Sequence, residues 1–391
     1  MPQESSFATK DQELLLRAAL LKGTDAVEAW KEWKSAVDLE GHLDHGSFRL
    51  LPLLYTNLKR LEVKDPLMGK LKGIYLKAWY ENQRLFFEAS NNLDYLHNEG
   101  IHTIVLKGVP LAILHYKNYG VRPMNDIDIL VPASQAVSAA DALIRRGWNP
   151  TKYESLEVPM RSRHSQQFVD ASGKELDLHW HLMIESAQVD SASAFWTKAV
   201  PFKVQGVSSH ALDPTDMLFH VIVHGVKWNP EPPIRWIADA MTILQSSDCE
   251  IDWSRMITHA KKYMVCLQIR EGLNYLYKSF QAPVPKTIME SINKIPISYL
   301  ERFEYRRLRN DGEVYRETLL GGFPVYLIDY LRLTRDTRFL PAFAGFSKYL
   351  LFRMSKKSVR HLLSHLVSRS IRISKKKLLS GLISQNSASN S

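Results

Sequence analysis

Cysteine is nearly missing from this chain: Cys249 and Cys266 are the two it has among 391 residues. Two thiols make neither a disulfide framework nor a zinc cluster, and small buried hydrophobes are the plain expectation. Also missing is any uncharged apolar run of about 18 residues, so no transmembrane helix is expected. The opening, MPQESSFATKDQELLLRAAL, lacks a basic lead followed by an apolar stretch, which speaks against a secretory signal. A cytoplasmic location is the expectation. No internal repeat is visible. Acidic residues are absent from Thr337 onward, where eleven Lys/Arg stand. The net charge of +10 reflects 51 basic against 41 acidic residues, so removing those eleven leaves 40 against 41. The body is therefore balanced and the whole excess sits in the tail.

What is present supports a globular protein: 45% of residues are hydrophobic. The length suggests two or three domains rather than one core. Residues 9–100 read as helical. LLLRAALL and AWKEWKSAV place apolar residues three and four apart, Pro52 sits near a helix start or at a kink, and 70–98 is a long helical run. This segment reads as a helical scaffold packed on the next domain.

Residues 101–131, IHTIVLKGVPLAILHYKNYGVRPMNDIDILV, carry the densest signal. They read as strand, turn at Lys107-Gly108, helix from Pro110 to Gly120, loop holding Arg122, and a second strand from Asp126. Side chains alternate along a strand, so Asp126 and Asp128 share a face, roughly 7 Å apart at Cα. Ile127, Ile129 and Val131 take the other face. Two carboxylates side by side repel, and a divalent cation relieves them; Mg²⁺ favours carboxylates plus phosphate oxygens. Pro132 ends the strand, and a helix over 135–146 closes at Gly147.

HSQQFVD and KELDLHWHL read as a hairpin across Ala171-Ser172-Gly173. Leu176, Leu178, Trp180 and Leu182 share one face, and Glu175, Asp177, His179 and His181 the other. Adjacent strands lie about 4.8 Å apart, so Asp126, Asp128 and Asp177 can converge on one site. Such a trio suits phosphoryl chemistry at metal ions, with the third acid placed to act as general base.

LKG, a helix, RPMNDIDILV and ELDLHW together resemble the uncharacterised nucleotidyltransferase family of the polymerase-β-like superfamily. HVIVHGVKW…IRWIADAMTIL resembles its helical half, so the likeness covers most of 50–280, with its specific motifs within 105–180. The resemblance implies Mg²⁺-dependent transfer of a nucleoside monophosphate from a nucleoside triphosphate to a hydroxyl or phosphate acceptor, with Mn²⁺ as the alternative ion. It makes Asp126 and Asp128 metal ligands and Asp177 the third catalytic acid and ligand. Gly108 becomes the turn that meets the triphosphate, as a helix start suits anions, and Lys107 and Arg122 neutralise its phosphates. In one departure, Val109 stands where the superfamily often has Gly or Ser, which removes a hydroxyl contact.

Other polar residues have plainer readings beside functional ones. His179 and His181 can touch metal or nucleotide, or merely hydrogen-bond along a polar strand face. Glu175 could replace Asp177. His220 and His224, with Asp216 a turn earlier, have metal-binding spacing but lack the glutamate of a zinc-protease helix, so a packing role is the expectation. Arg235 and Asp239 read as an intrahelical ion pair, with Trp236 nearby; lining the acceptor side is the alternative. In the tail, Val359, Leu362, Leu363, Leu366, Val367 and Ile371 form an apolar stripe amid basic residues. That pattern suits an anionic membrane, a nucleic-acid backbone, or an ordinary packed helix. In the first case the protein would be membrane-peripheral.

The expected architecture is α+β, with a small mixed sheet and flanking helices in a polymerase-β-like core. The divisions are 1–98 helical, 99–190 nucleotidyltransferase core, 191–335 helical, and 336–391 basic amphipathic tail with a disordered end. Gly321, Gly322 and Pro324 are expected in a loop. The rival functional class is a non-catalytic adaptor that keeps the fold, lacks a working nucleotide site and docks through its tail.

Overall fold

The structure, a computed structural model, describes residues 7–39, 41, 43–151, 160, 163–187, 192–226, 234–310, 319–333, 345–351 and 368. Apart from Ser368 and residues 345–351, the basic tail lies outside them. The chain opens with helices α1 (Lys10–Leu20), α2 (Gly23–Ala36), α3 (His45–Phe48), α4 (Leu51–Arg60) and α5 (Met68–Asn98). A capping box starts α1: Thr9 Oγ1 accepts from the Gln12 amide and Gln12 Oε1 accepts from the Thr9 amide. Pro52 lies in the first turn of α4, where its missing N–H costs no helical bond.

The α/β region comes next: β1 (Ile104–Leu106), a short α6 (Gly108–Pro110), β2 (Asp126–Leu130), α7 (Ala136–Arg145), β3 (Asn149–Pro150), β4 (Ser165–Val169) and β5 (Glu175–His179). Then come α8 (Ala192–Lys198), β6 (Val200–Val204) and β7 (Val207–Ala211). The strands build one seven-stranded sheet, ordered β3-β4-β5-β2-β1-β7-β6. β2 pairs antiparallel with β1 and parallel with β5; β1 pairs parallel with β7. The remaining helices are α9 (Pro214–Gly225), α10 (Arg235–Leu244), α11 (Trp253–Lys262), α12 (Cys266–Phe280), α13 (Lys286–Lys294), α14 (Tyr299–Asn310) and α15 (Leu319–Leu333). The fold is the mixed α+β architecture that the sequence implies.

Three local expectations need correction. Helix after Gly108 stops at His115 instead of Gly120, because α6 runs into a five-residue π turn, Leu111–His115. Residues 200–211 form a β-hairpin where helix was expected. Gln205 and Gly206 both have positive φ, 48° and 87°, the pattern of a two-residue loop whose twist suits a hairpin. Phe202 and Val204 alternate inward, so the hairpin was written in VPFKV-QG-VSSHA. Finally, Gly321, Gly322 and Pro324 lie inside α15. Pro324 forfeits one backbone bond near the helix start, and burial of Ile328 and Tyr330 holds the rest.

The sheet's two faces carry different chemistry. Val105, Ile127, Ile129, Val131, Leu176 and Leu178 pack with Phe86, Ala89 and Leu93 of α5 and the alanines of α7. On the opposite face Leu106 and Leu130 join a core shared by α1, α2, α4, α9, α10 and α12. The first helices and those after residue 212 thus bury their apolar stripes in one another, and Arg17 Nη1 donates to the Ser279 carbonyl at 3.3 Å. Among the described residues no helix is long and apolar enough to cross a membrane.

His115 closes the π turn against this core, and burial pulls its imidazole down to about 4 against the opposing charge of Asp239. Its neutral form is the folded form, so its contribution is complete above pH 6.5 and lost as pH falls toward 4. The loss amounts to about 3 kcal/mol. Urea denaturation from pH 7 to 4 should show the wild type losing roughly that much more than His115→Gln; parallel curves would refute the assignment.

Candidate active site

The site grows from β2. Its alternation puts Ile127 and Ile129 into the α5-side core and turns Asp126 and Asp128 to the other face. In register, Asp128 stands between Leu106 of β1 and Asp177 of β5, and Asp126 lies beside Glu175. Asp128 is only 3% exposed. Lys107 Nζ lies 2.6 Å from Asp128 Oδ1, and His179 Nε2 lies 3.1 Å from the same oxygen. Burial alone would raise the Asp128 pKa, but Lys107 and His179 outweigh it and hold the carboxyl well below the usual range. Asp177 is half-buried, and burial together with the Asp128 charge pushes its carboxyl up. Lys107 loses to burial and gains more from Asp128, Asp126 and Asp177, so its pKa is raised.

Lys107 reaches this position through an unusual backbone. It has φ 50° and ψ −111°, so the left-handed residue of the turn is the lysine and not Gly108. Such a conformation in a residue with a Cβ costs about 1–3 kcal/mol. Gly108 is needed for space: a Cβ there would sit 2.6 Å from Met124 Sδ and 2.7 Å from Arg122 Nη1. Val109 is 1% exposed and packs with the α5-side core. Its side chain is a packing element, so the absence of a hydroxyl at this position leaves the carboxylate face unaltered.

The loop before β2 is clamped from several directions. Arg122 is buried, and its Nε and Nη2 donate to Asp239 Oδ1 and Oδ2, each at 2.9 Å. Tyr116 Oη donates to the same Oδ1 at 2.9 Å. Asn82 of α5 donates to the carbonyls of Tyr119 and Arg122. Arg235 Nη1 donates to the Pro123 carbonyl at 2.7 Å. The expected Arg235–Asp239 pair inside α10 is therefore replaced by bonds from both residues to the loop. The bidentate fork of Arg122 fits Asp239 better than a neighbour four residues along one helix.

Sequence reasoning assigned no role to Arg49, which sits at the end of α3. Arg49, Arg122 and Arg235 nonetheless lie within electrostatic reach of one another and of Asp126. These guanidinia come from segments far apart in the chain, and no local pattern announces them. Beside them lies a cavity of about 100 Å³ lined by Lys107, Arg122, His220, His224, Arg235 and Trp236, among others.

Asp128, Asp177 and His179 can each offer a ligand atom within 4.8 Å of the others, the one such group among the described residues. Asp126 faces the same way but falls outside that group, and His179 takes its place. Glu175 is exposed at the strand's start, and His181 lies beyond the strand's end, its pKa lowered by burial. His220 and His224 meet edge to face, with ring centroids 5.9 Å apart. Asp216 turns away to His259 and Arg255, so those three residues form no metal site.

Residues 47–280, more than half of the chain, match the family described as uncharacterised nucleotidyltransferase. The chain belongs to this family. A crystal structure of an antigenic nucleotidyltransferase-like protein from Paracoccidioides brasiliensis is similar over 56% of this chain and 94% of its own. Identity is 11% and the TM-score 0.31, a likeness too distant to argue from. No curated protein matches the chain.

The donors present fit a divalent cation. Two carboxylates and an imidazole offer atoms within 4.8 Å of one another, slightly wider than the roughly 4.2 Å across an ion with bonds of about 2.1 Å, so a small side-chain movement would close them on it. An ammonium already sits at 2.6 Å from Asp128, where the site's chemistry calls for positive charge.

The Arg122–Asp239 pair ties the loop to α10, and breaking one side leaves a charge buried alone. Arg122→Lys and Asp239→Asn should each lower stability by about 3–5 kcal/mol. Arg122→Met combined with Asp239→Leu should recover much of that loss. Urea midpoints for the three variants decide the matter; equal stability of Arg122→Lys and wild type would contradict the clamp.

Proposed function

We propose that this family member is an Mg²⁺-dependent nucleotidyltransferase that moves a nucleoside monophosphate from a nucleoside triphosphate to a hydroxyl or phosphate acceptor. The supporting observation is the side-by-side placement of Asp128 and Asp177 on neighbouring parallel strands, next to the Lys107-Gly108 turn. Asp128 and Asp177, with Asp126 on the same face, would hold Mg²⁺ or Mn²⁺. When bound, the ion supplies positive charge against the phosphates and lowers the cost of developing charge on the leaving oxygen. His179 hydrogen-bonds Asp128 and fixes its orientation.

The chain's own groups then have distinct tasks. Asp177, whose carboxyl is raised by burial and by Asp128, takes the proton of an acceptor hydroxyl. The acceptor oxygen forms a bond to the α-phosphorus, and the bond from that phosphorus to the bridging oxygen breaks, releasing pyrophosphate. Lys107 exchanges its hold on Asp128 for the triphosphate. Arg122 acts through Asp239, keeping the loop and Gly108 in place, with its Nη1 toward the turn.

The adaptor reading draws on one observation, the Lys107 ammonium already satisfying Asp128. Incubation with labelled triphosphates, Mg²⁺ and cell extract separates the two. A labelled acceptor should form with the wild type, and Asp177→Asn should slow it by roughly 10²–10⁴-fold. Asp126→Asn and Asp128→Asn should also lose transfer while the urea midpoint shows a folded chain. Undiminished labelling by these variants would remove the enzyme, and calorimetry showing no binding of Mg-nucleotide would favour the adaptor.

A further inference from the structure

The cavity beside Lys107 is lined by buried polar groups short of partners. Arg235 makes one bond, to a backbone carbonyl, and among the described residues it has no carboxylate within ion-pair range. Trp236 is 4% exposed and its indole Nε1–H has no acceptor. His220 is 2% exposed and its Nδ1 is also without a partner. All three line the same space. A buried donor left unmade is costly, so native proteins supply a partner by water or ligand. Of the lining cations, Lys107 is taken by Asp128 and Arg122 by Asp239, which leaves Arg235 as the one without an ion-pair partner among the described residues, and its charge asks for an anion.

Position and size narrow the choice. Trp236 is held in place by Gly225, where a Cβ would lie 2.1 Å from Trp236 Cγ, and by an edge contact with Phe7 at 6.3 Å. The volume of about 100 Å³ is several times what a single water needs. That accommodates a phosphate or a carboxylate group. The cavity and the carboxylate cluster share Lys107, so a group held here would lie next to Asp128.

We propose that Arg235, Trp236 Nε1 and His220 form an oxyanion pocket that holds a phosphate or carboxylate group of a substrate. Arg235 supplies the charge, Trp236 a fixed donor, and the imidazole of His220 one N–H. Two sources share this chemistry: the terminal phosphates of the triphosphate, or an acidic group on the acceptor. That the group belongs to a substrate rests on the nucleotidyl-transfer reading; the affinity for an oxyanion does not.

The full-length protein is titrated with inorganic pyrophosphate and with an α,β-methylene nucleoside triphosphate by calorimetry, as wild type, Arg235→Gln and Trp236→Phe. Trp236→Phe keeps a ring beside Gly225 and deletes the N–H. The same proteins are compared in the labelling assay over a range of extract concentrations, with urea midpoints as the folding control. Pyrophosphate and triphosphate binding weakened about tenfold or more by Arg235→Gln, and severalfold by Trp236→Phe, supports the pocket and assigns it to the triphosphate. Unchanged binding of both, with about tenfold more extract needed for half-maximal labelling, supports it and assigns it to the acceptor. Variants equal to wild type in every titration and in labelling overturn the pocket while transfer stands. Arg235-dependent pyrophosphate binding in a wild type that labels nothing overturns transfer and leaves the pocket. A folded wild type that binds neither probe and labels nothing refutes both.

Discussion

A carboxylate with 3% exposure in the middle of a sheet is the constraint around which this protein is arranged. Leaving such a charge without partners costs several kcal/mol, more than the roughly 1–3 kcal/mol of an unfavourable backbone conformation. That ordering explains why Lys107 accepts a left-handed φ at the end of β1: from there its ammonium meets Asp128 at 2.6 Å. It also explains why His179, on the neighbouring strand, turns its ring to the same oxygen. The turn can be this tight because Gly108 has no Cβ to meet Met124 and Arg122.

Everything behind the site serves to keep β2 in register. The α5-side core fixes Ile127 and Ile129, and with a period of two that alone settles the direction of both aspartates. The loop entering β2 cannot slide, because α5 holds its carbonyls and α10 holds Arg122 and Pro123. A side chain on a strand, braced by a buried ion pair, is positioned more rigidly than one carried on a loop tip.

The sequence exposes those parts of the design that repeat over short distances. Asp126-Ile-Asp128 and the hairpin at 165–179 were legible, since strand alternation is written residue by residue and Ala171-Ser172-Gly173 marks the reversal. The β6–β7 hairpin was equally legible in its Gln205-Gly206 loop but was obscured by helical stretches on both sides. Helix α15 defied its Gly-Gly and Pro because burial outweighs local preference. The partners of Arg122 and Arg235 were out of reach for another reason. Asp239 is 117 residues from Arg122, and Pro123 is 112 from Arg235, so only the assembled tertiary structure reveals those bonds. His179 stood in plain view with two readings, and its place beside Asp128 depends on how β5 pairs with β2.

The first helix rests against the twelfth, and Arg17 bonds to Ser279 across 262 residues. A ribosome adding about 5–20 residues per second takes roughly 13–50 seconds to make that much chain. Through that interval α1, α2 and α4 can already pack on one another, and only the part of α1 that meets α10 and α12 has no finished surface to settle on. The earliest helices thus form a nucleus that is complete in itself except along one seam, which closes last.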